Sequence, residues 1–382
     1  MNGFNNNNIH SAYDLIRIRK EQEKEQRQKE LERKKQEQEK EVDILILGNG
    51  FDLAHGLKTR YTDFLDYWKK DKNVENIWLK HFVNKQQKLG DKWIDLEKEI
   101  YNVIKEININ LKHITNNYEE KNISRLYRCY IDEKFDLSEI NKGFDKAPII
   151  YETDEKEYAL IGNFYYFKTY RGLINFLYDQ LRDFTNKFNK YLLDEILSNI
   201  NNKKFKFNLS LDKTIRVLNF NYTNTYENLY NTLGIYSNTK YIYVHGKVCD
   251  SNDCNLVLGT QSFSNEEINV EFNVFKKHNQ RQIYGTIGAY QDLLKELKDK
   301  QRIIEPTFHI IGHSLDKTDH NILRHIFKAR ESSKINIYYH NEAALRRLIN
   351  NITEIIGEDE VTTKVQFIHQ EDPNRGILIP KK

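Results

Sequence analysis

Gly, Asn, His and Ser recur in this sequence directly after short apolar runs, and these residue types cradle phosphates and move protons. VDILIL (42–47) ends at Gly48-Asn49-Gly50, with Asp52 and His55 just beyond. TIRVLNF (214–220) ends at Asn221-Tyr222-Thr223, and YIYV (241–244) ends at His245-Gly246. LVL (256–258) ends at Gly259-Thr260-Gln261, TFHII (307–311) at Gly312-His313-Ser314, and KINIYY (334–339) at His340-Asn341. Glycines let backbone N–H groups approach a pyrophosphate, and the N-terminus of a following helix adds partial positive charge. A histidine with an unperturbed pKa near ~6.5 can take or give a proton at neutral pH. Strand ends are polar by default, so one such junction carries little. In an open parallel sheet, however, all the C-terminal ends lie along one edge, where ligands bind. Six junctions of this kind describe the lining of one crevice.

The first turn is testable against the dinucleotide fingerprint. Gly48 and Gly50 fill the first two positions of G-x-G-x-x-G, but Leu53 stands at the third. No acid follows an obvious second strand about 20 residues on, where the fingerprint places its ribose-binding residue. A dehydrogenase-type site is therefore not expected.

The elements that must position these residues alternate. The apolar runs, with KVQFIH (364–369), read as strands rich in β-branched and aromatic residues. Residues 60 to about 130 carry helical spacing, as in Trp93, Leu96, Ile100 and Ile104, and residues 171–200 read as one long amphipathic helix. YALIGNFYYF reads as a strand or hairpin, and DHNILRHIFKAR and NEAALRRLINNI as helices between the later strands. Strands alternating with helices predict an α/β, Rossmann-like, mostly parallel sheet flanked by helices. The expected organisation is a charged N-terminal helical extension over 1–41 and one α/β domain over 42–382, with a helical insertion at about 65–205. In the extension, RIRKEQEKEQRQKELERKKQEQEKE places Glu23/Arg27 and Glu30/Lys34 four apart, with Leu31 nearly alone as an apolar residue. That pattern fits a solvated helix better than a coiled coil.

Bulk properties narrow the class. The 382 residues are 39% hydrophobic and 30% charged, and 59 basic against 56 acidic residues leave a net charge of +3. This balance gives no global attraction to nucleic acid or membranes. No apolar run approaches the roughly 18 residues a membrane span needs, and the polar start lacks a signal-peptide core. A cytoplasmic protein is expected. Cys129 stands alone and Cys249 and Cys254 flank a polar loop, which reads as free thiols rather than a disulfide framework or zinc site.

GNGFDLAHGLKTRYTDF, WIDLEKEI, LNFNYTNTYENLY, YVHG and IIGHSLDKTDHNIL, in that order, resemble the AbiH family of bacteriophage abortive-infection proteins. The resemblance runs from Val42 to the C-terminus and implies a role in bacterial defence, in which the infected cell stops growing or dies. The order of the junctions is also similar to sirtuin-like NAD-binding domains. That likeness implies that Gly48 and Gly50 hold a pyrophosphate with Asn49 between them. It implies that Asn221 lies beside the nicotinamide ribose and that His245 and Gly246 match the His-Gly pair. Gly312, His313 and Ser314 would match the phosphate-contacting strand end, and Asn341 the residue after the next strand. Thr223 stands where such domains carry an Asp, and Asp52 where they carry a small or hydroxyl residue. Asp52 is then expected to orient His55. With no zinc-ribbon cysteines, the likeness implies NAD hydrolysis rather than deacylation.

Cleavage of the nicotinamide–ribose bond passes through an oxocarbenium-like transition state, so orientation and electrostatics carry most of the work. His245 is the expected base and Asn221 the residue positioning water. Three alternatives stand beside this. A nucleotide sensor would bind without turnover. A nuclease would need a metal-binding carboxylate cluster, for which Asp52, Asp63 and Asp66 are the candidates. A scaffold would act through a defence-system partner or a homo-oligomer.

Overall fold

The computed structural model describes residues 23–29, 41–70, 76–88, 90, 95–116, 129–132, 158–161, 164–167, 170–202, 206–207, 214–230, 239–250, 254–261, 268–299, 305–372 and 377–379. In chain order the first elements are β1 (Glu41–Leu47), α1 (Asn49–Ala54), α2 (Tyr61–Trp68), α3 (Ile77–Lys88) and α4 (Leu96–Asn116). Next come β2 (Cys129–Asp132), β3 (Tyr158–Ile161), β4 (Phe164–Phe167), α5 (Tyr170–Tyr191), β5 (Lys206–Phe207), β6 (Thr214–Asn219), α6 (Thr225–Tyr230) and β7 (Lys240–Tyr243). The C-terminal part holds α7 (Lys277–Ile283), α8 (Ile287–Lys298), β8 (Glu305–Ile311), α9 (His320–Phe327), β9 (Lys334–Tyr339), α10 (Glu342–Ile356), α11 (Glu358–Lys364), β10 (Val365–His369) and β11 (Leu378–Ile379).

Six strands form one parallel sheet in the order β10-β9-β8-β1-β6-β7. Counting only its own strands along the chain, this is the 3-2-1-4-5-6 order of a doubly wound Rossmann sheet, and the order reverses between β1 and β8. β1 lies at that reversal with both faces covered, which is why its run is apolar apart from Asp43, a buried carboxylate 3.3 Å from His309 Nε2. Val42, Ile44 and Ile46 pack with Leu293, Leu297, Ile322, Ile326 and Ile352 of the helices on one side. Leu45 and Leu47 pack with Phe51, Val217 and Tyr226 on the other.

A third apolar cluster belongs to the helices between β1 and β6. Phe64, Trp78, Phe82, Ile100, Leu177, Phe184 and Phe188 pack together, joined by Leu258, Phe272 and Phe275 from beyond β7. The same helices grip the segment after β7. Arg182 of α5 donates to the Cys254 and Leu256 carbonyls, and Asn189 bonds the Cys249 backbone in both directions.

The parallel sheet, the hairpin β3–β4 and the helices α9 and α10 stand where the sequence places them. Two expectations change. LVL is not a strand: Val257 N–H donates to the His245 carbonyl, and the Gln280 side chain pairs with both Leu258 N–H and C=O. A side chain thus satisfies backbone groups that a ladder would otherwise take. The long helix is α only to Tyr191, then passes through a π turn (Leu192–Ile196) into a 3₁₀ segment (Leu197–Asn202). In the N-terminal stretch, residues 23–29 are helical and exposed; the rest of it and Trp93 lie outside the described residues. Among the described residues no helix is long and apolar enough to cross a membrane.

Candidate functional site

The turns after β1 and β8 meet at the point where the strand order reverses, and they meet backbone to backbone. Gly48 N–H donates to the Ile311 carbonyl and Gly50 N–H to the Gly312 carbonyl at 2.8 Å. A Cβ on Gly312, whose φ is +65°, would stand 2.1 Å from the Phe51 nitrogen. One on Gly48 would stand 2.5 Å from the His313 Cα. These glycines are accounted for by loop-to-loop contact. The Gly48, Gly50 and Phe51 N–H groups all donate to carbonyls of the chain, so the pyrophosphate cradle expected from Gly48 and Gly50 is not formed by them. Of this turn, Asn49 is exposed and accepts from the Thr59 hydroxyl; Gly312 and Ser314 are exposed opposite it.

Behind the turn lies a buried polar brace. Asn221 N–H donates to the Asn219 side chain, whose amide donates to the Thr223 carbonyl, while the Asn221 amide donates to the Gly48 carbonyl at 3.0 Å. The Thr225 hydroxyl donates to Thr223, which donates to Asp52 Oδ2. Asp52 is 1% exposed, and burial pushes its carboxyl up to about 6 against the pull of these hydroxyls. Its Oδ1 has no hydrogen-bond partner. Asp52 therefore does not orient His55. The His55 ring nitrogens face the Phe51 carbonyl and the Tyr230 hydroxyl, each at 2.7 Å, and burial lowers its pKa. Asn341 stands apart as the cap of α10, accepting from Ala344 N–H. Gly246, at φ +85°, lies against the Asn255 backbone.

His245 and His313 are brought together, around a residue the sequence reading did not single out. Asp319, at the start of α9, has Oδ1 3.0 Å from His245 Nε2 and Oδ2 3.7 Å from His313 Nε2. Arg281 Nη2 lies 3.3 Å from His245 Nδ1. A guanidinium only donates, so Nδ1 accepts and Nε2 carries the proton toward Asp319. Leu315 N–H donates to His313 Nδ1, which sets the same tautomer there. Burial and the nearby Lys277 push His245 down to about 3 although Asp319 pulls the other way, and burial also lowers His313. Both rings are thus neutral with their acceptor nitrogens occupied. With both ring nitrogens engaged, His245 has no open acceptor for the part of base expected of it.

Two cations and a second carboxylate complete the cluster. Lys277 Nζ is 2.6 Å from Glu97 Oε1 and 3.7 Å from Asp319 Oδ1, and Arg281 is 3.9 Å from that same oxygen. Burial would raise the Asp319 carboxyl, but Lys277 and His245 outweigh it and hold it well below the usual range. Tyr222 donates to the Val257 carbonyl, and its hydroxyl is 3.3 Å from that of Tyr61. Arg281 Nε and Glu97 Oε2 are buried without a hydrogen-bond partner. Buried polar atoms are paired in the great majority of cases, so two such atoms in one charged cluster mark a place built for a ligand or water. Asp52 lies in its own brace, Asp63 caps α2 through Arg60 N–H, and Asp66 takes Lys69 and Gln86. Among the described residues no group of three or more His, Cys, Asp or Glu is arranged to hold a metal.

Four of these residues escaped the sequence reading for different reasons. Lys277 and Arg281 sit on α7, KHNQRQI, which buries Lys277, Gln280 and Arg281 and so inverts the apolar stripe that reveals a helix. Asp319 and Glu97 fall inside two of the quoted motifs, IIGHSLDKTDHNIL and WIDLEKEI; that membership was the available signal.

A family model for bacteriophage abortive infection AbiH matches residues 44–340, a span that contains every residue of this cluster. No curated protein matches the chain. On that match the chain belongs to the AbiH family of bacteriophage abortive-infection proteins.

Proposed function

We propose that the chain acts in abortive infection as an effector that binds and hydrolyses NAD or a related nucleotide at the edge formed by β1, β6, β7 and β8. The observation that carries this reading is the buried pair Lys277 and Arg281 beside Asp319 and His245, at the strand ends where a Rossmann-order sheet takes its ligands. Cationic side chains there suit phosphate oxygens, the guanidinium by forked donation and the ammonium as a point charge. His245 and His313 hold Asp319, and Asp319 in turn fixes both cations. Nicotinamide is a good leaving group, so a site of this kind contributes mainly orientation and charge placement.

The test is release of nicotinamide from NAD by the purified protein. Turnover is expected for the wild type. His245→Ala, checked for folding by its melting curve, is expected to lose at least about tenfold in kcat/KM, or ~1.4 kcal/mol of transition-state stabilisation. Equal consumption by wild type and variant would contradict the reading. A non-catalytic nucleotide sensor is the second reading, favoured by one observation: both His245 ring nitrogens are already engaged. NAD binding without nicotinamide release would establish it.

A further inference from the structure

We infer that Glu97, delivered by helix α4 from outside the sheet, is the residue that exchanges a proton with the bound nucleotide. This rests on the hydrolytic reading above. The inference comes from counting free hydrogen-bonding positions in the cluster. His245 and His313 each have one nitrogen accepting and the other directed at Asp319. Asp319 Oδ1 takes the His245 ring at 3.0 Å and is also approached by Lys277 and Arg281, while its Oδ2 lies 3.7 Å from His313 Nε2. Lys277 and Arg281 are donors only. Glu97 Oε1 is held by Lys277 at 2.6 Å, and its Oε2 is buried with no partner. Among the cluster's carboxylate oxygens, Glu97 Oε2 is the one that is buried with no hydrogen-bond partner.

Its surroundings suit the role. Burial, aided by Asp319 and Asp95 and opposed by Lys277, pushes the Glu97 carboxyl up to about 7. The titratable and charged groups facing it are Lys277 and Arg281 from α7, Asp319 before α9, Asp95 at the head of its own helix, and the hydroxyls of Tyr61 and Tyr222. Glu99, two residues along, is the contrast. Burial would raise it as well, but His81 and Lys85 bind its Oε1 and bring it down to about 2. Two carboxylates two residues apart, one raised and the other lowered, separate the acid–base candidate Glu97 from the ion-paired Glu99. A group poised near the working pH exchanges protons most effectively. As the glycosidic bond breaks, the electron pair of the C–N bond leaves with nicotinamide and water attacks the ribose carbon. Glu97 Oε2 accepts the proton that this water sheds, and bulk solvent later removes it.

Glu97→Gln keeps the acceptor facing Lys277 and tests the inference. The expected result is a loss of on the order of 10²–10⁴ in kcat, with NAD affinity changed by less than about threefold because Lys277 and Arg281 remain. In the wild type, kcat/KM should rise with pH through a limb near 7, and Glu97→Gln should lack that limb. Asp95→Asn, which keeps the helix cap, should move the limb to lower pH, because Asp95 helps hold Glu97 protonated; a structural role for Glu97 would not produce that shift. Wild-type turnover with an unimpaired Glu97→Gln overturns this inference and leaves the hydrolytic reading standing. A folded wild type that releases no nicotinamide overturns both.

Discussion

Asp52 is the site residue whose chemistry the structure explains most fully. It stands one helical turn from Gly48 and so looks placed for a ligand, yet its carboxyl is buried and held by Thr223. Its burial-raised pKa of about 6 makes the charged form costly. The sign follows from proton linkage. A carboxyl raised in the folded state contributes stability that is fully present below its unfolded pKa near 4 and is lost as pH rises through 6. Relative to Asp52→Asn, the wild type is therefore expected to lose roughly 1–3 kcal/mol between pH 4 and pH 8, at about 1.4 kcal/mol per pKa unit. Urea melts of both proteins at the two pH values measure this. An unchanged difference would mean that Asp52 is not ionising in its brace. Histidines at the site behave in the opposite sense. His245 is held neutral to about pH 3, so its contribution is full above the unfolded value near ~6.5 and falls as the pH drops below it.

The turns after β1 and β8 act as one element made of two loops. Their glycines stand where backbones touch, so substitution cost should follow the contact rather than the glycine itself. Gly56 has φ +72° with open space around its missing Cβ, and Gly56→Ala is expected to cost about 1–2 kcal/mol from the left-handed conformation alone. Gly312 has a similar φ of +65°, but its Cβ would meet the Phe51 nitrogen and the Gly50 carbonyl carbon. Gly312→Ala is expected to cost more than about 4 kcal/mol, in the range kept for changes that must displace backbone. Similar costs for the two variants would remove the loop-to-loop account. The strands leading into these turns were legible because β1, β8 and β9 are short runs rich in Ile, Leu, Phe and Tyr with few polar interruptions, the bias that a covered strand requires. The partners of the turns were not. Gly48 reads as a phosphate turn until His313 is seen against it, and α7 is hidden because its inward face is made of Lys277, Gln280 and Arg281. His245 and His313 were visible at their strand ends, whereas Asp319, which gathers them, stands at the start of α9, where an Asp reads as an ordinary helix-start residue.

At the scale of the molecule, the charged cluster lies where two hydrophobic bodies meet. The sheet and its helices form one set of cores, and the helices between β1 and β6 form another around Trp78. Glu97 rides on the second body and Lys277 on α7, so the pair Glu97–Lys277 is a tie across the site. Trp78 is fully buried and donates from its indole to the Leu177 carbonyl. Trp78→Ala is expected to cost about 3–5 kcal/mol, measured by denaturant melts. The surviving folded protein should also lose turnover, because the helix carrying Glu97 loses its seat. Membership of the AbiH family, matched over residues 44–340, supports a role in phage abortive infection; the chemical means is what is proposed from the cluster. Nicotinamide release from NAD, followed at pH 7 with wild type, His245→Ala and Glu97→Gln in parallel, tests that most directly. The account predicts release by the wild type and at least tenfold less, or ~1.4 kcal/mol, from each folded variant. No release by a folded wild type, or equal release by all three, would contradict it.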